Sequence, residues 1–261
     1  MSNTSITSKQ EIKPASKARL PVFLRRNGTA PTLSCCLLGL ALTFTYQLAT
    51  AAELPVALGL AGNFVVLAGQ TVTSTGQSIL LGSLGVSPGS AVTGFPPGVV
   101  LGKINAANLA AARAQRDLTT AYNNAAGRST APVAVSGNIG GRTLTPGLYK
   151  STSGLEISSG DLTLDAKGNR NAVFIFQMAS SLTTTSGRKV ILTGKAQAAN
   201  VFWQVGSSAA LGTTTVFKGN ILALTSISLA TGATLEGRAL ARNGSVTLQD
   251  NDVTYPFNTR P

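Results

Sequence analysis

The chain has 261 residues and a formal net charge of +12, with no histidine and only two cysteines. Without histidine there is no Ser-His-Asp or Cys-His arrangement, and the commonest metal ligand is missing. The cysteines are adjacent, Cys35 and Cys36, and lie in an apolar leader, so the remainder has no disulfide and depends on apolar contacts and hydrogen bonds.

In chain order, residues 1–33 are basic and polar, with Lys9, Lys13, Lys17, Arg19, Arg25 and Arg26 against Glu11. An apolar run from Leu33 to Leu48 then leads into Ala49-Thr50-Ala51. This is the order of a secretory signal, so residues 1–51 read as a lead segment cleaved near Ala51, and the protein as secreted. The apolar run is shorter than the roughly 20 residues of a membrane span. Residues 52–261 form one domain, long enough for a real core. Loss of the lead's six basic and one acidic side chains leaves a charge of about +7. The remaining Lys and Arg are scattered without interleaved aromatics, which argues against a nucleic-acid partner.

Residues 54–101 alternate short apolar strands with Gly, Ser and Pro turns and read as the first coils of a β structure. From 104 to 126 the period changes. Ile104, Ala107, Ala111, Ala114, Leu118, Ala121, Tyr122 and Ala125 fall on one stripe at three- and four-residue spacing, predicting one amphipathic, alanine-rich helix with Gly127 as its C-cap.

From about 133 the chain returns to short strands and one phrase recurs. AlaValPheIlePheGlnMet (172–178) is followed by a Ser/Thr strand, then AsnValPheTrpGlnVal (200–205), AsnIleLeuAlaLeu (220–224) and ArgAlaLeuAlaArg (238–242), each with its own small-residue strand. Such self-similarity marks a solenoid, in which each copy stacks on the last. Phe174, Phe176, Met178, Val201, Trp203 and Val205 are assigned inward. Ile175 and Phe202 then point outward, and a strand apolar on both faces must be covered on both. The helix is the element long enough to cover it.

The other strands project small residues. Thr183, Ala210, Ser228 and Thr247 are assigned to one face, which reads as uncharged and flat, and Val216, Thr234, Asp252 and Thr254 to its neighbour. Positions on such a grid lie about 4.8 Å apart between coils and about 6.6 Å apart along a strand. Exposed Thr ladders also occur in β proteins without a binding role, since Thr is a good strand former.

Catalytic motifs are poorly supported. Gly85-Val86-Ser87-Pro88-Gly89 matches G-x-S-x-G, but proline after the serine has no N–H for an oxyanion hole, so it reads as a turn. Ser186-Gly187-Arg188-Lys189 matches S-x-x-K without the partner motifs and reads as a coil corner. The acidic residues after the lead are Glu53, Asp117, Glu156, Asp161, Asp165, Glu236, Asp250 and Asp252, and only Asp250 and Asp252 sit close enough in sequence to suggest a cation or acid/base site. No phosphate-binding glycine loop is present.

Several phrases in order carry a resemblance: residues 63–76, Gly85–Gly89, the helix phrase 114–122, Leu144-Thr145-Pro146-Gly147-Leu148-Tyr149, and residues 172–177, 200–208, 217–223 and 237–241. From Leu58 to Pro256 the chain resembles the microbial ice-binding proteins. The resemblance implies a mainly β fold: a discontinuous right-handed parallel β-solenoid, here of about six coils, with one long helix along one face. It further implies a Thr/Ser/Ala-rich face that adsorbs to ice, with no cofactor, metal or reaction, and with ordered water and the ice surface as partner for a monomeric protein. A T-A/G-x-T/N element marks the binding face in some members. Thr231-Gly232-Ala233-Thr234 fits it, and Thr75-Gly76-Gln77-Ser78 fits in part. The candidate ice-facing residues are therefore Thr73, Thr75, Ser78, Thr183, Thr185, Ala210, Thr213, Thr215, Ser228, Thr231, Thr234 and Thr247. The alternative reading is a cell-surface adhesive or polysaccharide-binding solenoid, with a carbohydrate-active β-helix enzyme as a third.

Overall fold

In the computed structural model, residues 53–256 are described, and the lead segment lies outside them. The strands pair only in parallel and wind into a three-sided prism. The first side is the helix face. Its strands run, from one end, Ile104–Ala106, Ser83–Val86, Phe64–Ala68, the later parts of Thr234–Ala241 and Val216–Ala223, then Val201–Val205, Phe174–Met178, Gly147–Ser151 and Val133–Ala134. The second side has eight strands in the order Ala91–Thr93, Thr71–Thr75, Val246–Gln249, Ile227–Leu229, Ala209–Leu211, Leu182–Thr184, Leu155–Ile157 and Gly137–Asn138. These eight levels replace the six or so coils expected from sequence. The C-terminal repeats are plain to read, whereas the N-terminal and 133–165 levels depart from the repeated phrase.

The third side contains Val99–Val100, Ile79–Leu81, Asp252–Thr254, the early parts of the two long strands, and Val190–Thr193, Leu162–Asp165 and Thr143–Leu144. A bridge between Lys189 and Val216 joins its two parts. The long strands turn from this side onto the helix face at Gly219 and Gly237, with φ +114° and +159°. A Cβ at Gly237 would lie 1.9 Å from the Gly219 carbonyl oxygen, so the corner requires glycine for space as well as for backbone freedom.

The stack is discontinuous in sequence. Val66 pairs with Ala239, and Thr73 with Thr247, so the first coil of the domain lies against the last. Between them the chain builds outward to residue 106, returns along the helix, and restarts at the far end with Val133–Ala134.

The helix is Leu109–Gly127, not 104–126. Ile104–Ala106 is instead a strand paired with Ser83–Val86, and the side chain of Ile104 is exposed. Strand alternation and the helical stripe coincide at Ile104, which made it look helical. Two residues set the true start: Ala107 adopts φ +51°, breaking the strand, and the Asn108 side chain accepts the Ala111 N–H at 3.0 Å. The far end also differs from expectation. Gly127 is the last helical residue and Arg128 follows with φ −69°, so no left-handed glycine cap forms. The Gln177 amide takes that role by donating to the carbonyls of Ala125, Ala126 and Arg128.

Two cores result. Inside the prism lie Phe174, Phe176, Met178, Val201, Trp203 and Val205, all on the side read from sequence. Tyr149, Phe176 and Trp203 occupy one register column and stack at 5.1 and 4.1 Å between ring centroids. The Trp203 indole N–H donates to Lys218 O at 3.1 Å, satisfying the group inside the core. The second core lies under the helix, where Ala114, Leu118, Ala121, Tyr122 and Ala125 meet Ile175, Phe202, Leu222 and Leu240. Alanine lets the helix approach closely. Its 19 residues span about 28 Å, close to six strand spacings.

Candidate functional site

The second side of the prism carries a row of small residues in strict register. Thr93 pairs with Thr73, Thr73 with Thr247, Thr247 with Ser228, Ser228 with Ala210, and Ala210 with Thr183. Each has an inward apolar or small neighbour on the strand, so the row faces solvent by alternation: Thr93, Ser228, Ala210 and Thr183 are exposed, and Thr73 and Thr247 half-buried between their neighbours. Parallel pairing spaces the six at about 4.8 Å, for a length of about 24 Å. The Thr73 and Thr247 hydroxyls lie 3.5 Å apart, as expected for side chains with the same orientation.

Two flanking ranks lie two residues to either side. Toward the helix face are Ser181, Ser208, Ser226, Ser245 and Thr71. Their hydroxyls join levels: the Ser208 oxygen accepts Ser226 N–H at 3.3 Å, the Ser226 oxygen accepts Ser245 N–H at 3.1 Å, and Thr71 donates to Ser245 at 2.8 Å. Toward the third side lie Thr75 and Thr185, both exposed, with hydroxyls donating to Leu248 O and Ser158 O. The serine rank escaped the sequence reading. Its signal is present two residues before Thr183, Ala210, Ser228 and Thr247, but serine there also fits an ordinary turn. Thr93 was missed because its coil lacks the repeated phrase.

The structure divides the sequence-derived candidates. Thr73, Thr183, Ala210, Ser228 and Thr247 share the central row. Thr75, Thr185, Thr213 and Thr231 lie at its border with the third side, all exposed. Ser78 is fully buried; its hydroxyl oxygen bonds Ser74 Oγ at 2.8 Å and accepts Asn251 N–H at 3.1 Å. Thr215 is 1% exposed, with its hydroxyl 2.9 Å from that of Thr184. Neither reaches an external surface. Thr234 points out from the third side, in register with Val216 and Asp252. The four-residue element 231–234 therefore wraps a corner: Thr231 is exposed at the edge, Ala233 is buried, and Thr234 belongs to the next face.

That third side is unlike the threonine row. It bears the Lys218–Glu236 ion pair, exposed Asp252, and exposed Ile79, Leu81, Val99 and Ile191. A groove of about 410 Å³ there is lined by residues including Lys189, Ile191, Val216, Lys218 and Glu236. The expectation that the threonine face is uncharged throughout also needs one correction: Glu156 is exposed and pairs directly with Thr183 in the central row.

Other chemical motifs disperse. Asp250 sits at a corner, where its carboxylate accepts Gln77 N–H; Asn251 turns inward, and Asp252 faces out from the third side. Among the described residues, no group of three or more acidic, histidine or cysteine side chains converges as a metal site. Ser87 is buried at a corner where its N–H donates to Ala68 O. Gly187 at the S-x-x-K match likewise bonds Thr213 O at a corner. Among the described residues, the two perturbed titrating groups lie off the row. Burial raises the Tyr149 phenol, and a hydrogen bond from Lys167 lowers the half-buried Asp165 carboxyl.

A parallel β-solenoid roofed by one helix, with a small-residue grid on an adjoining side, defines a scaffold that presents an extended, regularly spaced surface for contact. The Ice-binding-like family matches residues 66–254, and the chain belongs to that family. It is 51% identical over 205 residues to an ice-binding protein of Nostoc sp. (strain HG1), covering 78% of this chain and 76% of the relative. An ice-binding protein of Flavobacterium frigoris (strain PS1) is 41% identical over 216 residues, covering 77% and 76%. Among solved structures, an ice-binding protein from an Antarctic biological consortium aligns with TM-score 0.79 at 56% identity, covering 80% of this chain and 94% of that one. One from the Antarctic ascomycete Antarctomyces psychrotrophicus aligns with TM-score 0.74 at 38% identity, covering 78% and 100%.

Proposed function

We propose that this protein is a secreted antifreeze protein that adsorbs to ice through the Thr93, Thr73, Thr247, Ser228, Ala210 and Thr183 row and its flanking ranks, slowing ice growth and recrystallisation. The carrying observation is the register itself, which holds six small uncharged side chains at one height on adjacent levels. Each methyl excludes water from its own volume while the nearby hydroxyls and alanine backbone position the waters around it. Adsorption then merges this hydration layer with the crystal.

A single bridging water costs roughly 0–2 kcal/mol to immobilise, so the contacts must act together. Rigidity makes this feasible, because the side chains are ordered when the solenoid folds instead of when it meets ice. No reaction, metal or cofactor enters this mechanism, and the protein acts as a monomer. Secretion rests on the lead sequence, whose basic, apolar and small-residue segments occur in the order of a signal.

The test is thermal hysteresis and recrystallisation inhibition by the purified protein beside a heat-denatured control. Activity lost on denaturation is the expected result. Folded protein with neither activity at high concentration removes the ice reading and favours adhesion to polysaccharide.

A further inference from the structure

The central row does not end where the solenoid ends. Beyond Thr183 the next register partner is Glu156, and beyond it Asn138. Asn138 is folded into its own corner, where its Oδ1 accepts the N–H groups of Gly140 at 3.0 Å and Ser158 at 2.9 Å. Glu156 has no such engagement. Its side chain is exposed and, among the described residues, makes no ion pair. Leu155 and Ile157 on either side are buried, so the backbone at this level continues the row and only the side chain changes.

We infer that Glu156 is the boundary residue of the adhering face, limiting it to six of the eight levels and thereby setting its strength. The inference rests on the proposed adsorption through this row. Two physical properties make Glu156 a boundary. Its carboxylate stands about two bonds taller than a threonine and breaks the plane of the row. It also binds water tightly around a negative charge, in an arrangement unlike a lattice plane, and stripping that shell without a paired cation is costly. Thr183, the adjacent position, therefore meets ice at the edge of the face instead of in its interior.

The experiment compares thermal hysteresis of the full protein at equal concentration with Glu156→Thr, Glu156→Gln and, as a charge control on another side, Asp252→Asn. Thr favours strand backbone, and position 156 faces outward, so Glu156→Thr folds with an unchanged thermal midpoint. The expected result is a rise of about twofold for Glu156→Thr, corresponding to one further level of contacts acting jointly with the rest. A smaller rise is expected for Glu156→Gln, which removes charge but retains height. Asp252→Asn leaves activity unchanged. Equal gains from Glu156→Thr and Asp252→Asn would reduce the effect to net charge and overturn the inference. So would unchanged or lower hysteresis in folded Glu156→Thr alongside an active parent protein. An inactive parent removes the adsorption reading itself, and the boundary with it.

Discussion

The side-chain nitrogen of Gln177 lies 2.7 Å from the carbonyl oxygen of Ala125, tying strand Phe174–Met178, the first copy of the repeated phrase, to the last turn of the helix. Two more carbonyls, of Ala126 and Arg128, share the same donor. A helix end normally leaves its final carbonyls to water or a left-handed cap. Here one glutamine satisfies them under the roof of the second core. Replacement by leucine of similar size keeps apolar contact but leaves a buried carbonyl without a donor, at a cost of about 1–3 kcal/mol. Denaturant unfolding of Gln177→Leu should show that loss, with faster amide exchange in the last helical turn, while ice affinity of the folded fraction stays near that of the parent.

Thr215 supplies a contrasting case, since it resembles an ice-facing threonine in sequence and is internal in structure. Its hydroxyl bonds that of Thr184, which also accepts Gly212 N–H at 2.8 Å. Thr215→Val should lower stability by about 1–2 kcal/mol, the usual range for a buried polar partner lost, and leave hysteresis per folded molecule unchanged. A specific loss of hysteresis at full stability would instead place Thr215 in contact with ice.

The phenol of Tyr149 gives stability a pH limit. Desolvation by burial raises its pKa above the ordinary value, against opposing hydrogen bonds at Thr145, so its neutral form is favoured by folding. For a group raised in the folded state, the contribution is fully present below the unfolded pKa of about 10 and is lost as pH rises through the folded value. Alkaline unfolding of the protein should therefore steepen above about pH 10. Tyr149→Phe should remove that component of the slope while losing about 0.5–1.5 kcal/mol at neutral pH with the hydrogen bond.

The parts of this fold that were legible in sequence are those in which one residue's neighbours constrain it. Ile175 and Phe202 had to be covered because they are apolar on strands whose other face is also apolar, and the helix does cover them. Phe176 and Trp203 fell into one column because their phrases repeat. What stayed hidden depends on distant chain. The helix start is fixed by left-handed Ala107 and the cap at Asn108, neither of which changes the apolar period. Ser78 and Thr215 have surface-like chemistry, and only the corner geometry turns them inward. Thr234 belongs to a matching four-residue element, yet a bend within that element puts its two threonines on different sides. Glu156 could be counted among the dispersed carboxylates, but its place beside Thr183 emerges only from strand register.

The assignment of the adhering side reduces to a comparison between Ser228 and Thr234. Ser228 is in the middle of the small-residue row, between Ala210 and Thr247, whereas Thr234 lies between Val216 and Asp252 near the Lys218–Glu236 pair. Both side chains point outward, so a tyrosine at either position avoids overfilling the core. At Ser228 the ring would hold ice away from the neighbouring levels and interrupt joint contact along the row. Ser228→Tyr should therefore abolish most of the hysteresis, by roughly tenfold or more if several contacts of a few tenths of a kcal/mol are lost together. Thr234→Tyr should retain it, with both variants unfolding at the parent temperature. The opposite pattern, with Ser228→Tyr active and Thr234→Tyr inactive, would move adsorption to the charged third side despite its uneven surface.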